Sequence, residues 1–343
     1  MTSKILVTGG AGYIGSHTVV ELMNEGHDVY IIDNLSNSTI DVIYRIEEIT
    51  GKTVHFTKLD LLDQEALFYY MDDHHPFDGV IHFAAAKAVG ESVEKPLYYY
   101  ENNIVGLINL MKAVRYYRIL NFVFSSSCTV YGQPTQLPVT ENSPLQAATS
   151  PYGNTKRIAE DILQDFVKSN LDFKAIALRY FNPIGAHETA LIGELPNGVP
   201  NNLMPFICQT AIGKRKELSV FGNDYHTPDG TAIRDYIHVV DLAKAHLAAL
   251  RRMTEKRMEQ SIEFYNIGCS KGYSVLEVIH AFEQETGVKL NWRYAPRRAG
   301  DIEQIWADAT LAEQKLNWKA EQGIGEMVAS AWKWEKELRV NSE

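Results

Sequence analysis

Cysteine is scarce: 343 residues carry three, Cys128, Cys208 and Cys269, an odd number with neither disulfide nor metal-ligand spacing. That excludes a disulfide-stapled extracellular scaffold, and the expectation is a cytoplasmic chain with no disulfides and no metal site. Long apolar runs are also lacking. No stretch approaches the ~18 consecutive apolar residues that a membrane-spanning helix needs. Met1-Thr2-Ser3-Lys4 runs straight into Ile5-Leu6-Val7, without a basic segment and cleavable apolar core ahead of it. A soluble protein that is not exported, with no membrane partner, is expected. Positive charge is in deficit, 33 Lys and Arg against 43 Asp and Glu for a net −10. This weighs against nucleic acid, whose binding draws on a concentrated basic surface. It does not exclude an anionic small molecule, because single arginines and helix N-termini bind phosphate whatever the net sign.

What the chain does have is alternation. Short apolar runs at Lys4–Thr8, Asp28–Asp33, Thr53–Leu59, Gly79–Ala84, Asn121–Ser126 and Lys174–Tyr180 are separated by amphipathic stretches. This is the pattern of βα units around a parallel sheet buried on both faces, and it predicts an α/β, doubly wound fold with six strands. After Asn182-Pro183 the sequence becomes turn-rich, with Gly185, Gly193, Pro196, Gly198, Pro200 and Pro205 close together. A boundary is expected there, between a domain of residues 1–182 and a smaller C-terminal α/β domain of residues 183–343. The second half predicts strands at Leu218–Phe221, Ile233–Val239 and Phe264–Ile267 and a helix through Asp241–Arg251. No repeat or long linker separates the halves, so a shared cleft is expected.

Three local motifs carry chemistry. Thr8-Gly9-Gly10-Ala11-Gly12-Tyr13-Ile14-Gly15 joins the first strand to a helix-like segment, His17–Glu25. A glycine-rich strand-to-helix turn lets backbone approach a pyrophosphate and aims a helix N-terminus at its charge. Its G-x-x-G-x-x-G spacing differs from G-x-G-x-x-G, so the reading leans on the strand context. Asp33 follows about 20 residues on, at the end of the second strand, where a carboxylate accepts from ribose hydroxyls and repels the extra phosphate of NADP; NAD is the expected cofactor. Tyr152-Gly153-Asn154-Thr155-Lys156 follows Pro151 at a helix start, and the four-residue step sets Lys156 beside Tyr152. An ammonium there would draw the phenol down from about 10 toward the range of a general base. Taken alone, this pattern reads at least as well as an ordinary amphipathic helix start. Ser125-Ser126-Ser127 closes the fifth strand, at the sheet edge where open α/β sheets bind ligands; alone it is a polar strand end. Tyr98-Tyr99-Tyr100 reads as helix packing and His74-His75 as a surface loop.

In this order and at these separations the motifs resemble the extended short-chain dehydrogenase/reductase family. Within it the chain is similar to the UDP-galactose 4-epimerases, over essentially its whole length. The similarity lies in Gly12-Tyr13-Ile14-Gly15-Ser16-His17-Thr18, Lys87-Ala88-Val89-Gly90-Glu91-Ser92-Val93 and Ser125-Ser126-Ser127-Cys128-Thr129-Val130-Tyr131-Gly132. It continues in Arg179-Tyr180-Phe181-Asn182-Pro183, Pro200-Asn201-Asn202-Leu203-Met204-Pro205 and Arg234-Asp235-Tyr236-Ile237-His238-Val239. The resemblance implies a Rossmann domain for NAD, a C-terminal domain for the UDP-sugar, and an isomerase that interconverts UDP-glucose and UDP-galactose in galactose metabolism. It makes Tyr152 the base, Lys156 its tuner and the nicotinamide-ribose anchor, and Ser127 the bridge to the sugar O4. For NAD it implies Gly9, Gly12, Tyr13, Ile14 and Gly15 of the turn, then Asp33, Asn34, Asp60 and Leu61, then Phe83, Ala84, Lys87 and Asn102, beside Tyr152 and Lys156. For the UDP-sugar it implies Phe181, Asn182, Asn202, Leu203 and Phe221, then Arg234, Tyr236, Arg298 and Asp301, beside Ser127 and Tyr152.

Arg234 and Arg298 suit a diphosphate because guanidinium forks onto phosphate oxygens; without the neighbouring motifs each would read as a solvated surface charge. The family position that limits room for a 2-N-acetyl group aligns with Ile305, intermediate between the large tyrosine of strict members and the small residue of permissive ones. Activity on UDP-N-acetylgalactosamine and UDP-N-acetylglucosamine is therefore a further expectation, and the family implies a homodimer. Nucleotide-sugar 4,6-dehydratases resemble the chain less, since they carry an Asp-Glu pair where Cys128 and Thr129 stand, and eliminating water needs an acid/base group within reach. A dinucleotide-sensing protein without catalysis is the reading from another class; intact Tyr152, Lys156 and Ser127 speak against it.

Overall fold

The computed structural model describes residues 2–298 and 301–340. The apolar runs of the first half become β1 (Lys4–Thr8), β2 (Asp28–Asp33), β3 (His55–Lys58), β4 (Gly79–His82), β5 (Asn121–Ser125) and β6 (Lys174–Tyr180). The second half adds β7 (Asn182–Ile184), β8 (Leu218–Phe221), β9 (Ile233–His238), β10 (Ile262–Ile267), β11 (Gly272–Ser274), β12 (Trp292–Ala295) and β13 (Gln304–Ile305). Between the early strands run α1 (Tyr13–Asn24), α2 (Asp41–Thr50), α3 (Gln64–His74), α4 (Val89–Glu94), α5 (Pro96–Tyr100) and α6 (Gly106–Tyr116). Later come α7 (Pro151–Ser169), α8 (Leu203–Ala211), α9 (Val239–Thr254), α10 (Val275–Thr286), α11 (Thr310–Leu316) and α12 (Ile324–Val340). No described helix is long and apolar enough to cross a membrane.

The main sheet is parallel throughout, in the order β10-β6-β5-β4-β1-β2-β3. Its central strands are apolar on both faces because both are covered: β4 is buried along its whole length. On one face Val19, Val20 and Leu22 of α1 meet Leu242, Ala245 and Leu250 of α9. On the other, Leu67 and Met71 of α3 meet Leu107 and Leu110 of α6 and Leu163 of α7.

The sheet has seven strands where the sequence predicts six. The run at Phe264–Ile267 does not stay with the second half. It extends into β10 and pairs in register with β6, from Ile262 opposite Ala175 to Ile267 opposite Tyr180. Structurally, residues 239–267 belong with the first sheet although they lie beyond the expected boundary at 182/183. The physical reason is the outer edge of β6, a row of backbone groups that needs a partner; local periodicity does not report a partner so far along the chain.

The remaining segments form the smaller layer. β9 is flanked by β7 and β13 in parallel and by β11 antiparallel, while β8 pairs with β12. Their apolar sides close over Ile207 of α8, Ile279 and Phe282 of α10 and Val328 of α12. α10 starts with a reciprocal cap in which Ser274 and Glu277 satisfy each other's backbone N–H groups.

Candidate active site

From β1 the chain winds outward to β2 and β3, then crosses back to β4 on the other side. A crevice therefore opens at the carboxyl ends of β1 and β4, where strand order reverses. The cavity there measures about 1160 Å³, above the ~300–1,000 Å³ usual for one small ligand. Its walls come from both halves of the chain.

One wall is the glycine turn. Gly9 sits at φ +74°, and a Cβ on it would lie 2.6 Å from the Ala84 backbone nitrogen; a Cβ on Gly15 would lie 2.2 Å from the Gly9 carbonyl oxygen. Only glycine permits this approach of α1 to β1 and β4. Gly12 precedes α1 without a side-chain cap, and the first turn holds no acid, so its N–H groups are suited to a ligand anion. At the end of β2, Asp33 accepts from the Ala11 N–H at 3.1 Å and the Leu35 N–H at 2.8 Å. Burial raises its carboxyl pKa and these two bonds oppose the rise. Asn34 donates to Asp60 at 3.0 Å, tying the ends of β2 and β3. The Phe83 and Ala84 N–H groups both donate to the Thr8 carbonyl, at 2.9 and 3.1 Å. Asn102 lies in a widened helical turn, Glu101–Val105, and donates to Asn103 at 2.9 Å; such turns recur at functional sites. A glycine cradle, an uncapped helix start and a strand-end carboxylate together fit a dinucleotide.

The inner end of the cleft is built by α7. Pro151 is pre-set for the first helical position and Ser150 accepts from the Gly153 N–H at 3.1 Å. This start places Tyr152 in the first turn and Lys156 one turn later, 6% and 4% exposed respectively. Lys156 Nζ donates to the Ser125 carbonyl at 2.7 Å and stands 6.0 Å from the Tyr152 ring centre. Ser127 Oγ accepts from the Thr129 N–H at 3.2 Å. Its hydroxyl hydrogen remains free to donate, and Ser127 is the neighbour that draws the Tyr152 phenol pKa down.

The electrostatics differ from the expectation in one respect. Burial pushes the Tyr152 phenol well above its ordinary value, Tyr180 adds to the rise, and the opposing influence is the Ser127 hydrogen bond. The Lys156 ammonium is turned to the Ser125 carbonyl. Burial in turn pulls Lys156 down to about 8, against the favourable charge of Glu160. Glu160 extends the four-residue step from Tyr152 and Lys156, and the sequence reading missed it. It accepts from the Ser126 hydroxyl at 2.6 Å and from Arg179 Nε and Nη2 at 3.0 and 2.7 Å, a buried pair that braces the catalytic helix against β5 and β6.

The opposite wall holds two arginines. Arg234 and Tyr236 lie on β9, with Asn182 of β7 in register with Tyr236. Arg234 donates one Nη1 bond to the Ile233 carbonyl at 2.8 Å. The Arg298 guanidinium stands 4.9 Å from the Phe221 ring centre and bonds Asp301 at 3.1 Å. Leu203 opens α8, and Asn202 precedes it with an extended backbone; its amide does not cap the helix but donates to Glu194 at 2.6 Å. Glu194 also takes Lys87 Nζ at 3.1 Å. No spacing rule flags this acid in the turn-rich segment.

All the expected site residues line the cleft except two. Phe181 is 3% exposed and packs among Val130, Val139 and Ile305. Side chains alternate along extended chain, so Tyr180 and Asn182 face the cleft and Phe181 faces away. Ser127 is buried, 6% exposed, beside the lining residues Cys128 and Thr129. Ile305, buried at 2% exposure, contributes to the lining.

Comparison with known proteins places this geometry. The family model described as GDP-mannose 4,6 dehydratase matches residues 6–331. A relative from Erwinia amylovora named UDP-glucose 4-epimerase is 51% identical over 97% of this chain and 98% of its own. The crystal structure of UDP-glucose 4-epimerase from Bifidobacterium longum in complex with NAD+ and UDP superposes with a TM-score of 0.93 at 46% identity, covering 98% of each chain. The UDP-Glc/GlcNAc 4-epimerase from Campylobacter jejuni gives a TM-score of 0.84 at 38% identity, over 98% of this chain and 99% of that one.

Proposed function

The chain belongs to the family described by the GDP-mannose 4,6 dehydratase model and, within it, to the UDP-glucose 4-epimerases, and from that premise we propose how its residues divide the work. The reaction is the interconversion of UDP-galactose and UDP-glucose by transient oxidation at C4 of the sugar, with NAD as cofactor. One observation carries the assignment of roles: Tyr152 and Lys156, 6.0 Å from ammonium to ring centre, line a cleft with a glycine-turn wall on one side and two arginines on the other. When bound, NAD supplies a reversible hydride acceptor for C4. Tyr152 takes the proton of the C4 hydroxyl and later returns it, Ser127 holds O4 and the phenolate oxygen together, and Lys156 anchors the nicotinamide ribose. Residues before 183 hold the cofactor through Gly9–Gly15, Asp33 and Lys87. Those after it hold UDP through Arg234, Arg298, Phe221 and Tyr236, with Asn202 alongside.

Inversion requires the 4-keto sugar to present its other face to the same cofactor. Few fixed contacts on the sugar are therefore compatible with turnover, and the binding energy is supplied by the remote nucleotide. Arg234 on β9 and Arg298 beside Phe221, on elements other than the catalytic helix, fit that division. Cys128 and Thr129 line the cleft where a dehydratase needs a carboxyl pair, which supports epimerisation over water loss despite the name of the family model. Tyr152→Phe should lower kcat by about 10²- to 10⁴-fold, the usual range for a general base, while calorimetry still finds UDP bound. Near-normal turnover in a folded Tyr152→Phe protein would refute the assignment.

Ile305 lining the cleft supports a broader substrate range, and conversion of UDP-N-acetylgalactosamine would be the sign of it; its complete absence would remove that part. We also propose a cytoplasmic homodimer joined through α4 to α6. Exposed Val93, Leu97, Tyr98 and Ile108 on these consecutive helices and Val105 in the turn between α5 and α6, up to 82% exposed at Leu97, support that contact. A monomeric mass by light scattering would overturn it.

A further inference from the structure

We propose that Glu194 is a positioning residue that couples the cofactor wall of the cleft to the UDP wall. The proposal rests on the reading above in which Lys87 serves NAD and Asn202 serves UDP. One carboxylate oxygen, Oε1, accepts from both of them, at 3.1 Å from Lys87 Nζ and 2.6 Å from Asn202 Nδ2. Its side chain is only 11% exposed, and Oε2 has no hydrogen-bond partner among the described residues. The acid is half-buried with one oxygen shut off from solvent, although its Lys87 partner is 43% exposed.

The segment that carries it is anchored. The Glu194 carbonyl accepts from Trp334 Nε1 at 3.0 Å. Gly193 lies so close to the same indole that a Cβ would meet it at 2.6 Å. Arg45 donates to the Leu191 carbonyl at 3.0 Å while its guanidinium stands 5.3 Å from the Trp334 ring centre. The backbone is thus clamped at Glu194 and just before it, and the carboxylate has a defined place from which to hold its partners.

An ammonium has three donors and a primary amide two. Lys87 and Asn202 can each keep the bond to Glu194 and turn another donor to a ligand, so the carboxylate fixes their direction without competing for the site. The charge sets the sign. A lone carboxylate beside two diphosphates would repel them, so Glu194 assists binding only while Lys87 neutralises it. Removing Lys87 alone should therefore harm binding more than removing both residues, a sign reversal that a merely structural role would not give.

The test uses the full-length, NAD-loaded protein, with bound NAD per chain read by absorbance after denaturation and UDP affinity by calorimetry. Glu194→Ala should weaken UDP binding and raise the UDP-galactose KM about tenfold, the scale of one hydrogen bond to a charged group. It should also lower bound NAD, with kcat changed less than about threefold. Glu194→Gln keeps an acceptor oxygen for Asn202, so it should restore UDP affinity but not NAD retention. Lys87→Met should lose more NAD than Lys87→Met combined with Glu194→Ala. Unchanged UDP affinity and NAD content in Glu194→Ala would overturn the proposal, as would additive losses in the Lys87 cycle. If Glu194→Ala does not fold, Glu194→Gln decides, because equal loss of UDP and NAD binding there contradicts separate roles for the two bonds. Asn202→Ala is the control for the underlying reading: no effect on UDP there means the wall assignment is at fault, whereas an effect there with none at Glu194 means the coupling is.

Discussion

Replacing Ser127 by alanine removes the neighbouring hydroxyl that draws the Tyr152 pKa down against the effect of burial. The Thr129 N–H fills one acceptor position of Ser127 Oγ at 3.2 Å and leaves its hydroxyl hydrogen free to donate, and a donor to the phenolate stabilises the anion. A hydrogen bond to a charged group is worth ~1.5–3 kcal/mol. At ~1.36 kcal/mol per pKa unit, its loss should move phenolate formation up by about one to two units. A base must be ionised to accept a proton, so a raised pKa carries the rising limb of kcat toward alkaline pH. Below the limb the variant should lose about 10- to 100-fold, and above the shifted limb that loss should disappear. Any remainder that does not vary with pH measures the contact of Ser127 with O4. The assay is kcat for UDP-galactose with saturating substrate and NAD-loaded enzyme, from about pH 6 to about pH 10. If Ser127→Ala loses the same factor at every pH, with the limb in place, the electrostatic role assigned to this serine is refuted.

The remaining predictions concern the scaffold that holds this site. Glu160→Gln leaves Arg179, 4% exposed, without its carboxylate and should cost ~3–5 kcal/mol by denaturant titration; a cost below ~1 kcal/mol would mean the pair does not brace α7. Gly15→Ala puts a methyl 2.2 Å from the Gly9 carbonyl oxygen and should yield folded protein with little co-purified NAD, checked by absorbance of the denatured supernatant. Burial pulls His17 and His82 down to about 3 and His238 and His246 down to about 4. Since these folded pKa values lie below the unfolded value near 6.5, the unfolded chain binds protons first as pH falls. Stability is thus full above about pH 6.5 and should fall from there toward pH 4, by up to about 1.4 kcal/mol per pH unit for each histidine. A flat unfolding free energy between about pH 6.5 and 5 would contradict this.

The parts legible in the sequence are those governed by local rules. β1, β2 and β6 fall on the predicted residues, because a strand buried on both faces announces itself as an apolar run. Gly9, Gly12 and Gly15 announced the first crossover, and at Gly9 and Gly15 the close approaches admit no side chain. Tyr152 and Lys156 announced the helix start that Pro151 and Ser150 fix. What escaped is non-local. That β10 completes the first sheet depends on the exposed edge of β6, and nothing near Ile262 records it. Glu194 lies far in sequence from Lys87, and their meeting follows from the packing of its segment on Trp334. Glu160 could have been found by continuing the four-residue step, but its partner Arg179 comes from a different strand. Lys156 stands near Tyr152, as the four-residue step predicts, but spacing along a helix does not report that its ammonium bonds the Ser125 carbonyl.

The central claim is C4 epimerisation by a cofactor the protein retains. Its most direct test is to incubate the purified protein with UDP-galactose, adding no nicotinamide cofactor, and to follow the anomeric proton signals by NMR. The account predicts that the UDP-glucose signal grows to an equilibrium mixture while no free reduced cofactor accumulates. UDP-galactose that persists unchanged, even after NAD is supplied to demonstrably folded protein, would contradict it.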